Sequence, residues 1–473
     1  MLRRLTTPGP LLAVGLGVTT VAASLWMATA NRGLSTEATA ALYAFYFLVG
    51  TIGTGVLAGL EQEMTRTVAR AHAAGRPVGA AVRGQLRQAA GLAVVTVVIL
   101  GAAAPVLVSH WLGGSWPLAL ALLAGLAATW ASFLVRGVLA GCQDFSFYSG
   151  TLVVQGVATI VPSLVLTLAG SGHVLGYAFV FALAPLVAAA SGLVSPALRR
   201  SWRATGTGAA GRASESAARE AREEPEEPEE QEELAAEAGG SPREKLVLLT
   251  LATLVSQLLI NAVPLVIGPR LAGGDELSRQ LNKSLSSSMG LSRMALLCLF
   301  PLQAPLLPLL AAAAVRGDFR EVRRKTGFLV GACLGAGLAG ILAVVAVGPW
   351  LLKTYFAADA PLSRTFLSAL ALSTAFLMTA FVLQSAQVAL NRHRVVFASW
   401  LAGLAAMAAV FALPLAPLDA AGWAGIAGPL IVTVVAAVDV TFVTRSASEL
   451  PETGDSAPEA PAQAAPLAGG VRS

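Results

Sequence analysis

The chain has 473 residues, of which 55% are hydrophobic and 12% are charged, and it carries a formal net charge of +5. Soluble globular proteins have about 25% charged residues, so this composition, with a mean hydropathy of +0.70, excludes an ordinary soluble enzyme or binding domain. The basic residues stand in short clusters between long uncharged runs, which is typical of membrane topology signals and not of a nucleic-acid-binding surface. We therefore expect membrane lipids, and no nucleic acid, among the partners.

Uncharged runs of membrane-spanning length recur along almost the whole chain. In hydrocarbon the backbone must satisfy its own hydrogen bonds, so these runs predict transmembrane α-helices. In the first half the predicted spans are residues 8–30, 38–60, 88–110, 116–139, 147–169 and 175–198. In the second half they are residues 246–269, 289–314, 326–352, 366–390, 395–416 and 420–442. The first run begins like a signal peptide, but we interpret it as a retained helix because eleven spans follow.

The fold class that this pattern predicts is an all-α integral membrane protein with about 12 transmembrane helices in two six-helix lobes. The lobes are residues 1–200 and 244–445. Residues 201–243 contain a long run of Glu and Pro, which predicts a disordered acidic linker, and residues 446–473 predict a disordered tail. The linker is interpreted as a solvated spacer, and docking of a cytoplasmic or glycan-assembly partner is the alternative.

Lys and Arg residues are distributed unevenly between the two sides of the predicted spans. One side holds 24 of them and the other holds six. Because positively charged loops resist translocation, the side with 24 is predicted to be cytoplasmic, together with both termini and the linker. Four tryptophans then fall at the opposite, outer interface, where the indole ring is buried and its N–H is hydrated. They are Trp111, Trp116, Trp350 and Trp423.

Each half contains an even number of predicted spans, so both halves enter the membrane from the same side and form a parallel repeat. Transporters built from such repeats bind substrate between the halves and expose the site to each side in turn. Two motifs of small residues would allow close helix contacts, Gly55-x-x-x-Gly59 and Gly331-x-x-x-Gly335, although chance matches are frequent among 47 glycines. The repeat therefore favours a transporter.

The predicted spans contain no combination of residues that would support catalysis, such as paired acids or a Ser–His pair, and no spacing typical of a metal site. We therefore expect no enzyme activity and no cofactor. Two arginines lie within the spans, Arg136 and Arg293, where a charge is costly unless it reaches a headgroup, a partner or a watered cavity. For Arg136, near a span end, we favour a headgroup. For Arg293, deeper in its span, a headgroup and an anionic substrate group are equal alternatives.

Uncharged polar residues within the spans are further candidates for a substrate cavity. They are Asn261 in the seventh span, Gln303 in the eighth and Gln384 in the tenth. The alternative, which is the more common role of such residues, is a hydrogen bond to a neighbouring helix.

Several short motifs of the chain form a recognisable set. They are Ala30-Asn31-Arg32-Gly33-Leu34-Ser35, Tyr43-x-Phe45-Tyr46, Thr65-Arg66-x-x-Ala69, Ala73-Ala74-Gly75-Arg76, Arg136-Gly137-x-Leu139-Ala140-Gly141, Asn261 with Ser287 to Arg293, and Arg316-Gly317-Asp318. Together they resemble the polysaccharide and lipid-linked oligosaccharide flippases of the multidrug/oligosaccharidyl-lipid/polysaccharide exporter superfamily. The resemblance covers most of the chain as a pattern, and few specific residues carry it.

The resemblance implies the fold of the multidrug and toxin extrusion (MATE) proteins, in a bacterial plasma membrane. It implies a saccharide linked to undecaprenyl diphosphate as the substrate, moved from the inner to the outer leaflet by alternating access. It adds Arg32 and Arg66 to the candidate cavity residues. The first span offers only Thr19, Thr20 and Ser24 where lipid II flippases carry a basic residue, so lipid II itself is not expected. The embedded arginines suit a diphosphate.

Two other functions stay open. A MATE-type exporter of drugs or metabolites would share the fold, but it would need a carboxylate deep in the membrane for ion coupling, and the spans lack one at the midplane. A membrane-embedded glycan-modifying enzyme would need catalytic residues in outer loops, and these loops are short. The flippase of lipid-linked saccharides is therefore the favoured prediction.

Overall fold

The structure is a computed structural model that describes residues 8–73, 78–196, 198–199, 242–358, 360 and 362–449. This part of the chain contains thirteen α-helices and one π-helical turn, and no β-strand. The predicted linker, residues 201–243, lies outside it except for the start of a helix at Pro242, and so does the predicted tail beyond Glu449.

Seven helices and the π-helical turn come from the first half of the chain. They are α1 (Pro8–Gly33), α2 (Thr36–Val49), the π turn (Gly50–Thr54), α3 (Gly55–Ala73), α4 (Val78–His110), α5 (Trp116–Gly141), α6 (Phe145–Leu168) and α7 (Val174–Gly192). Six helices come from the second half. They are α8 (Pro242–Ala272), α9 (Glu276–Val315), α10 (Phe319–Thr354), α11 (Arg364–Ala389), α12 (His393–Phe411) and α13 (Pro417–Glu449).

Helices α2 and α3 form one span through the π turn. With these counted as one, eleven helices in the described residues are long and apolar enough to cross a bilayer, and α9, with 40 residues, is a twelfth long helix. The all-α membrane fold predicted from the sequence is confirmed, and the chain is a multi-pass integral membrane protein. Successive spans run in opposite directions. We call the side on which α1 begins and α13 ends the termini side, and the opposite side the far side.

Several helices extend beyond the predicted spans. The largest difference is in α9, which begins at Glu276, although hydropathy predicted a start at residue 289. The added turns are polar, but Ser284 and Ser287 are buried and each hydroxyl donates a 2.8 Å hydrogen bond to a backbone carbonyl. Hydropathy does not register polar residues whose partners lie within the bundle. Similarly, α13 continues to Glu449, past the predicted start of the tail at residue 446.

The helices of each half pack mainly against one another. In the first half α1 packs along α6, and α5 packs against α3 and α7. In the second half α11 packs against α10 and α13, and α12 packs against α13. The two halves meet along a seam, where α8 and α9 contact α1, α2, the π turn and α3.

On this seam α3 approaches α8 closely because it presents two glycines, Gly55 and Gly59. A Cβ on Gly55 would lie 3.3 Å from the Cα of Leu254, and a Cβ on Gly59 would lie 2.8 Å from the hydroxyl oxygen of Thr250. Small residues four positions apart let helix backbones come together in membranes. The second predicted motif, Gly331-x-x-x-Gly335, is not used in this way, since Cβ atoms added there would meet no described atom within 4 Å.

We expect Gly55→Leu to destabilise the protein and Gly331→Leu to leave its stability nearly unchanged. A leucine at position 55 would have to displace the α8 backbone, and overpacking of this kind costs about 1–3 kcal/mol, whereas Gly331 faces open space. Thermal unfolding in detergent, followed as loss of the monodisperse peak in size-exclusion chromatography, measures the difference. Equal melting temperatures for the two variants would contradict this account of the seam.

Candidate substrate cavity

A cavity of about 330 Å³ lies on the seam between the two halves. Helices α1, α2, α5, α6 and α7 and the π turn form one wall, and α8, α9 and α11 form the other. Among its described lining residues, the charged one is Arg136. The other polar lining residues are Thr19, Tyr46, Thr54, Thr129, Ser132, Gln155, Gln257 and Asn261.

Arg136 on α5 places a positive charge in this wall. The residue is 6% exposed. Its Nε donates to Oγ1 of Thr151 at 3.2 Å, and its Nη2 donates to Oε1 of Gln155 at 2.5 Å. These bonds use two of the five N–H donors of a guanidinium. The placement differs from the headgroup contact favoured from the sequence, because α6 offers two polar partners one turn apart and the side chain stays within the bundle.

A carboxylate lies near Arg136, at Glu61 on α3. It accepts a 2.7 Å hydrogen bond from the Tyr148 hydroxyl and attracts the Arg136 guanidinium electrostatically. The two charges come together because α5 carries Gly137 and Gly141 where it crosses α3, and a Cβ on Gly137 would lie 2.9 Å from the backbone oxygen of Glu61. A buried charge requires such partners. The Arg136-Gly137 motif is therefore a packing feature as well as a source of charge.

Two buried polar atoms of the cavity wall have no hydrogen-bond partner in the described structure, Oγ of Ser132 and Oδ1 of Asn261. The amide nitrogen of Asn261 donates to the backbone carbonyl of Gln257 at 2.8 Å, and the amide oxygen is the atom without a partner. An unsatisfied buried polar group costs about 1–3 kcal/mol unless a ligand or ordered water pairs with it. The two atoms belong to different halves, so a ligand that satisfied both would bridge the seam.

Aromatic residues bound the cavity toward the far side. Tyr46 and Phe181 line it, and Trp26 packs against both, with ring centroids 5.6 Å and 4.8 Å away. The π turn follows α2 at the same level, and its residues Gly50 and Thr54 also line the cavity. Single π-helical turns within α-helices occur frequently at functional sites.

A buried polar cluster, which we call the far-side latch, joins the two halves beyond these aromatic rings. The amide of Asn31 donates to Oγ of Ser287 at 3.0 Å and to the carbonyl of Phe356 at 2.7 Å. Its amide oxygen accepts from the Tyr43 hydroxyl at 2.6 Å, and its backbone carbonyl accepts from Nζ of Lys283 at 2.9 Å. The far-side latch therefore ties α1 and α2 to α9 and to the segment after α10.

Helices α1 and α9 are in contact beside the latch, where Met27 lies against Gly290. Nearer the termini side, Leu16 of α1 and Leu296 of α9 line the cavity from opposite walls. The latch and the α1–α9 contact thus close the seam on the far side. Toward the termini side the cavity separates α1 from α9, while α3 stays packed on α8 at Gly55 and Gly59.

The structure brings two of the sequence-predicted site residues together in the cavity wall, Arg136 and Asn261. Two others, Arg293 and Gln303, lie on α9 at positions whose side chains fall outside the described part of the structure. In that part, no group of three or more His, Cys, Asp or Glu side chains is placed to hold a metal ion.

The remaining three candidates lie away from the cavity wall. Arg32 donates to the backbone carbonyls of Thr354 and Tyr355 at the end of α10, both at 2.8 Å, beside the latch. Arg66 pairs at 2.7 Å with a glutamate one turn earlier on the exposed end of α3. Gln384 accepts from the indole N–H of Trp400 at 2.9 Å, which is the helix-to-helix bond considered as its alternative role.

Ser132, Gln155 and Glu61 belong to the site, although they are not among the site residues predicted from the sequence. Ser132 stands one turn before Arg136 on the same face of α5, and Gln155 is a lone amide in an apolar span, so both gave a weak signal. In the sequence Glu61 stands at the polar end of a predicted span. Its approach to Arg136 depends on how α3 crosses α5. No local pattern encodes that crossing angle.

No protein-family model and no curated protein matches the sequence, but solved structures match the fold. An inward-facing conformation of a multidrug resistance MATE family transporter of the MOP superfamily matches with a TM-score of 0.66 at 13% identity, over 92% of this chain and 96% of that one. A MOP superfamily transporter from Pyrococcus furiosus Vc1, described as having a binding pocket of reverse polarity, matches with a TM-score of 0.60 at 14% identity, over 93% of this chain and 97% of that one. An outward-facing MATE structure matches with a TM-score of 0.57 at 14% identity, over 93% of this chain and 97% of that one. The chain therefore has the MATE fold.

Proposed function

We propose that the protein is a flippase that moves an anionic lipid-linked saccharide, of the undecaprenyl-diphosphate type, from the inner to the outer leaflet of a bacterial plasma membrane. The observation that carries the proposal is a cavity on the seam whose charged lining side chain, among those described, is the buried Arg136. A guanidinium binds phosphate oxygens through paired, charge-assisted N–H bonds. A site for cations would need an acidic wall instead.

The uncharged polar groups around Arg136 suit the saccharide. Oδ1 of Asn261 and Oγ of Ser132 are free to bond sugar hydroxyls, which both donate and accept. Because these groups come from opposite halves, a saccharide held by both would have different contacts when the halves move. A ligand shifts a conformational equilibrium only through such a difference in affinity.

The state of the seam supports entry from the termini side. The far-side latch closes the opposite side, and the excess of Lys and Arg predicts that the termini side is cytoplasmic. Release on the far side then requires the latch to open and the termini side to close, which is alternating access between the two halves.

A second candidate function is export of a soluble drug or metabolite, and Glu61 is the observation in its favour. Its carboxylate offsets the charge of Arg136, and protonation of a carboxylate is a common means of coupling transport to an ion gradient. Expression that raised resistance to cationic compounds, with the resistance lost when the ion gradient is collapsed, would favour this function.

Reconstitution in liposomes tests the flippase directly. The lipid is a fluorescent undecaprenyl-diphosphate oligosaccharide, and a membrane-impermeant reductant reports its arrival in the outer leaflet. We expect faster exposure than in protein-free vesicles, and slower movement of a polyprenyl glycoside that carries the same glycan without phosphate. Equal rates for the two lipids, or no movement of either, would contradict the proposal.

A further inference from the structure

A second cavity, of about 310 Å³, lies between α9, α10 and α11, and we call it the apolar cleft. The α10 residues that line the cleft are spaced mostly three or four positions apart, so they lie along one face of that helix. From Ala336 to Leu352 this face covers about 24 Å at the rise of an α-helix. The residues that form it are Ala336, Gly337, Gly340, Val344, Gly348 and Leu352.

Three hydroxyl residues line the cleft, and none has a hydroxyl hydrogen free to donate to a phosphate headgroup. Ser288, Ser292 and Thr374 each donate to a carbonyl of their own helix, at 2.7, 2.8 and 2.9 Å. Glycine keeps the cleft open from the α10 side, since a Cβ on Gly340 would meet no described atom within 4 Å. A wall of this kind suits hydrocarbon.

A third void, of about 20 Å³, lies between the apolar cleft and the central cavity, and we call it the neck. The neck shares Ser292, Leu370 and Thr374 with the cleft, and it shares Ile260 and Leu296 with the central cavity. One water molecule needs about 10–15 Å³, so the neck is too small to hold a sugar, and most of its lining residues are apolar.

At its other edge the cleft reaches the surface that faces the bilayer. Ala336, in the cleft wall, is exposed, and the opposite face of α10 carries Leu338 and Leu342, which are 60% and 64% exposed. This exposed edge offers a hydrocarbon chain a sideways route from the lipid into the cleft.

From the apolar lining of the cleft and its position beside the central cavity, we infer that the apolar cleft holds the hydrocarbon chain of the same lipid whose headgroup occupies the central cavity. The inference rests on the proposed function. The cleft runs from the neck toward the far-side ends of α10 and α11, and Arg136 lies toward the termini-side end of α5. A lipid drawn from the termini-side leaflet has this orientation, with its headgroup on the termini side and its chain directed across the bilayer.

Filling the cleft tests the inference. Gly340→Phe on α10 and Ala371→Phe on α11 obstruct it from two sides, and Gly335→Phe adds the same ring to the exposed face of α10 as a matched control. The probe is a polyprenyl diphosphate with a benzophenone at the end of its chain, and mass spectrometry identifies the crosslinked peptides. We expect label on α10 and α11 in the wild type and in the control. Both cleft variants should lose about tenfold or more in labelling and in transport, since the ring displaces several methylene groups.

Competition separates the substrate chain from bulk lipid. Excess undecaprenyl phosphate should remove the label and excess phosphatidylglycerol should not. Equal competition by undecaprenyl phosphate and phosphatidylglycerol would overturn the inference. Full labelling of cleft variants that size-exclusion chromatography shows to be correctly folded would overturn it as well. A water-soluble glycan diphosphate without a chain distinguishes the two proposals. If it binds in an Arg136-dependent manner while the chain is not found in the cleft, the cleft inference alone fails; if neither binds, the proposed function fails too.

Discussion

Replacing Arg136 by glutamine should reduce outward movement of a diphosphate-linked saccharide by about 10- to 100-fold, because a hydrogen bond to a charged group contributes about 1.5–3 kcal/mol. Glutamine keeps a polar side chain near Gln155 but removes the charge and the paired N–H groups that a diphosphate needs. Movement of the uncharged glycoside should change little. Reconstituted vesicles that contain either lipid measure both effects with the same protein.

The matched control is Arg66→Gln, the same substitution at an arginine that is exposed at the end of α3 and paired with Glu63. It should transport normally. Loss of Arg136 also leaves the half-buried Glu61 without its neighbouring charge, which destabilises a protein, so Arg136→Gln/Glu61→Gln is needed to separate folding from transport. An equal loss for the charged and the uncharged lipid in the folded double variant would assign Arg136 to structure alone.

The membrane spans could be predicted from the sequence because hydrocarbon allows few backbone conformations. An uncharged run of sufficient length therefore predicts a transmembrane helix. The prediction failed where polar residues are paired inside the bundle. The start of α9 carries Ser284, Ser287 and Lys283, which read as a loop, although their partners on α1 and after α10 make them part of a helix. Hydropathy reports the cost of exposing a group to lipid, and these groups do not face lipid.

The candidate site could be predicted only in part, for a similar reason. Arg136 and Asn261 attracted notice because each is polar within an apolar run. Glu61 did not, since it stands at a span end and reaches Arg136 only where α5 crosses α3 over Gly137. The π turn at residues 50–54 had no sequence signal beyond two glycines. Contacts between distant helices depend on crossing angles, which a single sequence does not contain.

A disulfide between α1 and α9 should stop transport, and its reduction should restore it. Met27 lies against Gly290 beside the far-side latch, and Met27→Cys removes the sulfur that a Cβ at position 290 would otherwise meet. Met27→Cys with Gly290→Cys therefore places two thiols across the seam, in a background in which Cys142, Cys298 and Cys333 are replaced by alanine. Alternating access requires the halves to separate there. We expect near-complete loss of movement of the diphosphate-linked saccharide after oxidation, and recovery after addition of a reductant.

The control joins α1 to a helix of its own half. Ala22→Cys with Gly156→Cys links α1 to α6, where the two Cβ atoms would be 3.4 Å apart, close to the usual spacing of about 3.5–4.5 Å in a disulfide. This pair should form its disulfide and transport normally, because α1 and α6 move together if each half is rigid. Its failure would mean that the halves deform internally. Full transport by the oxidised α1–α9 pair would mean that the far-side latch never opens, and the substrate would then need a path that avoids the seam and with it Arg136.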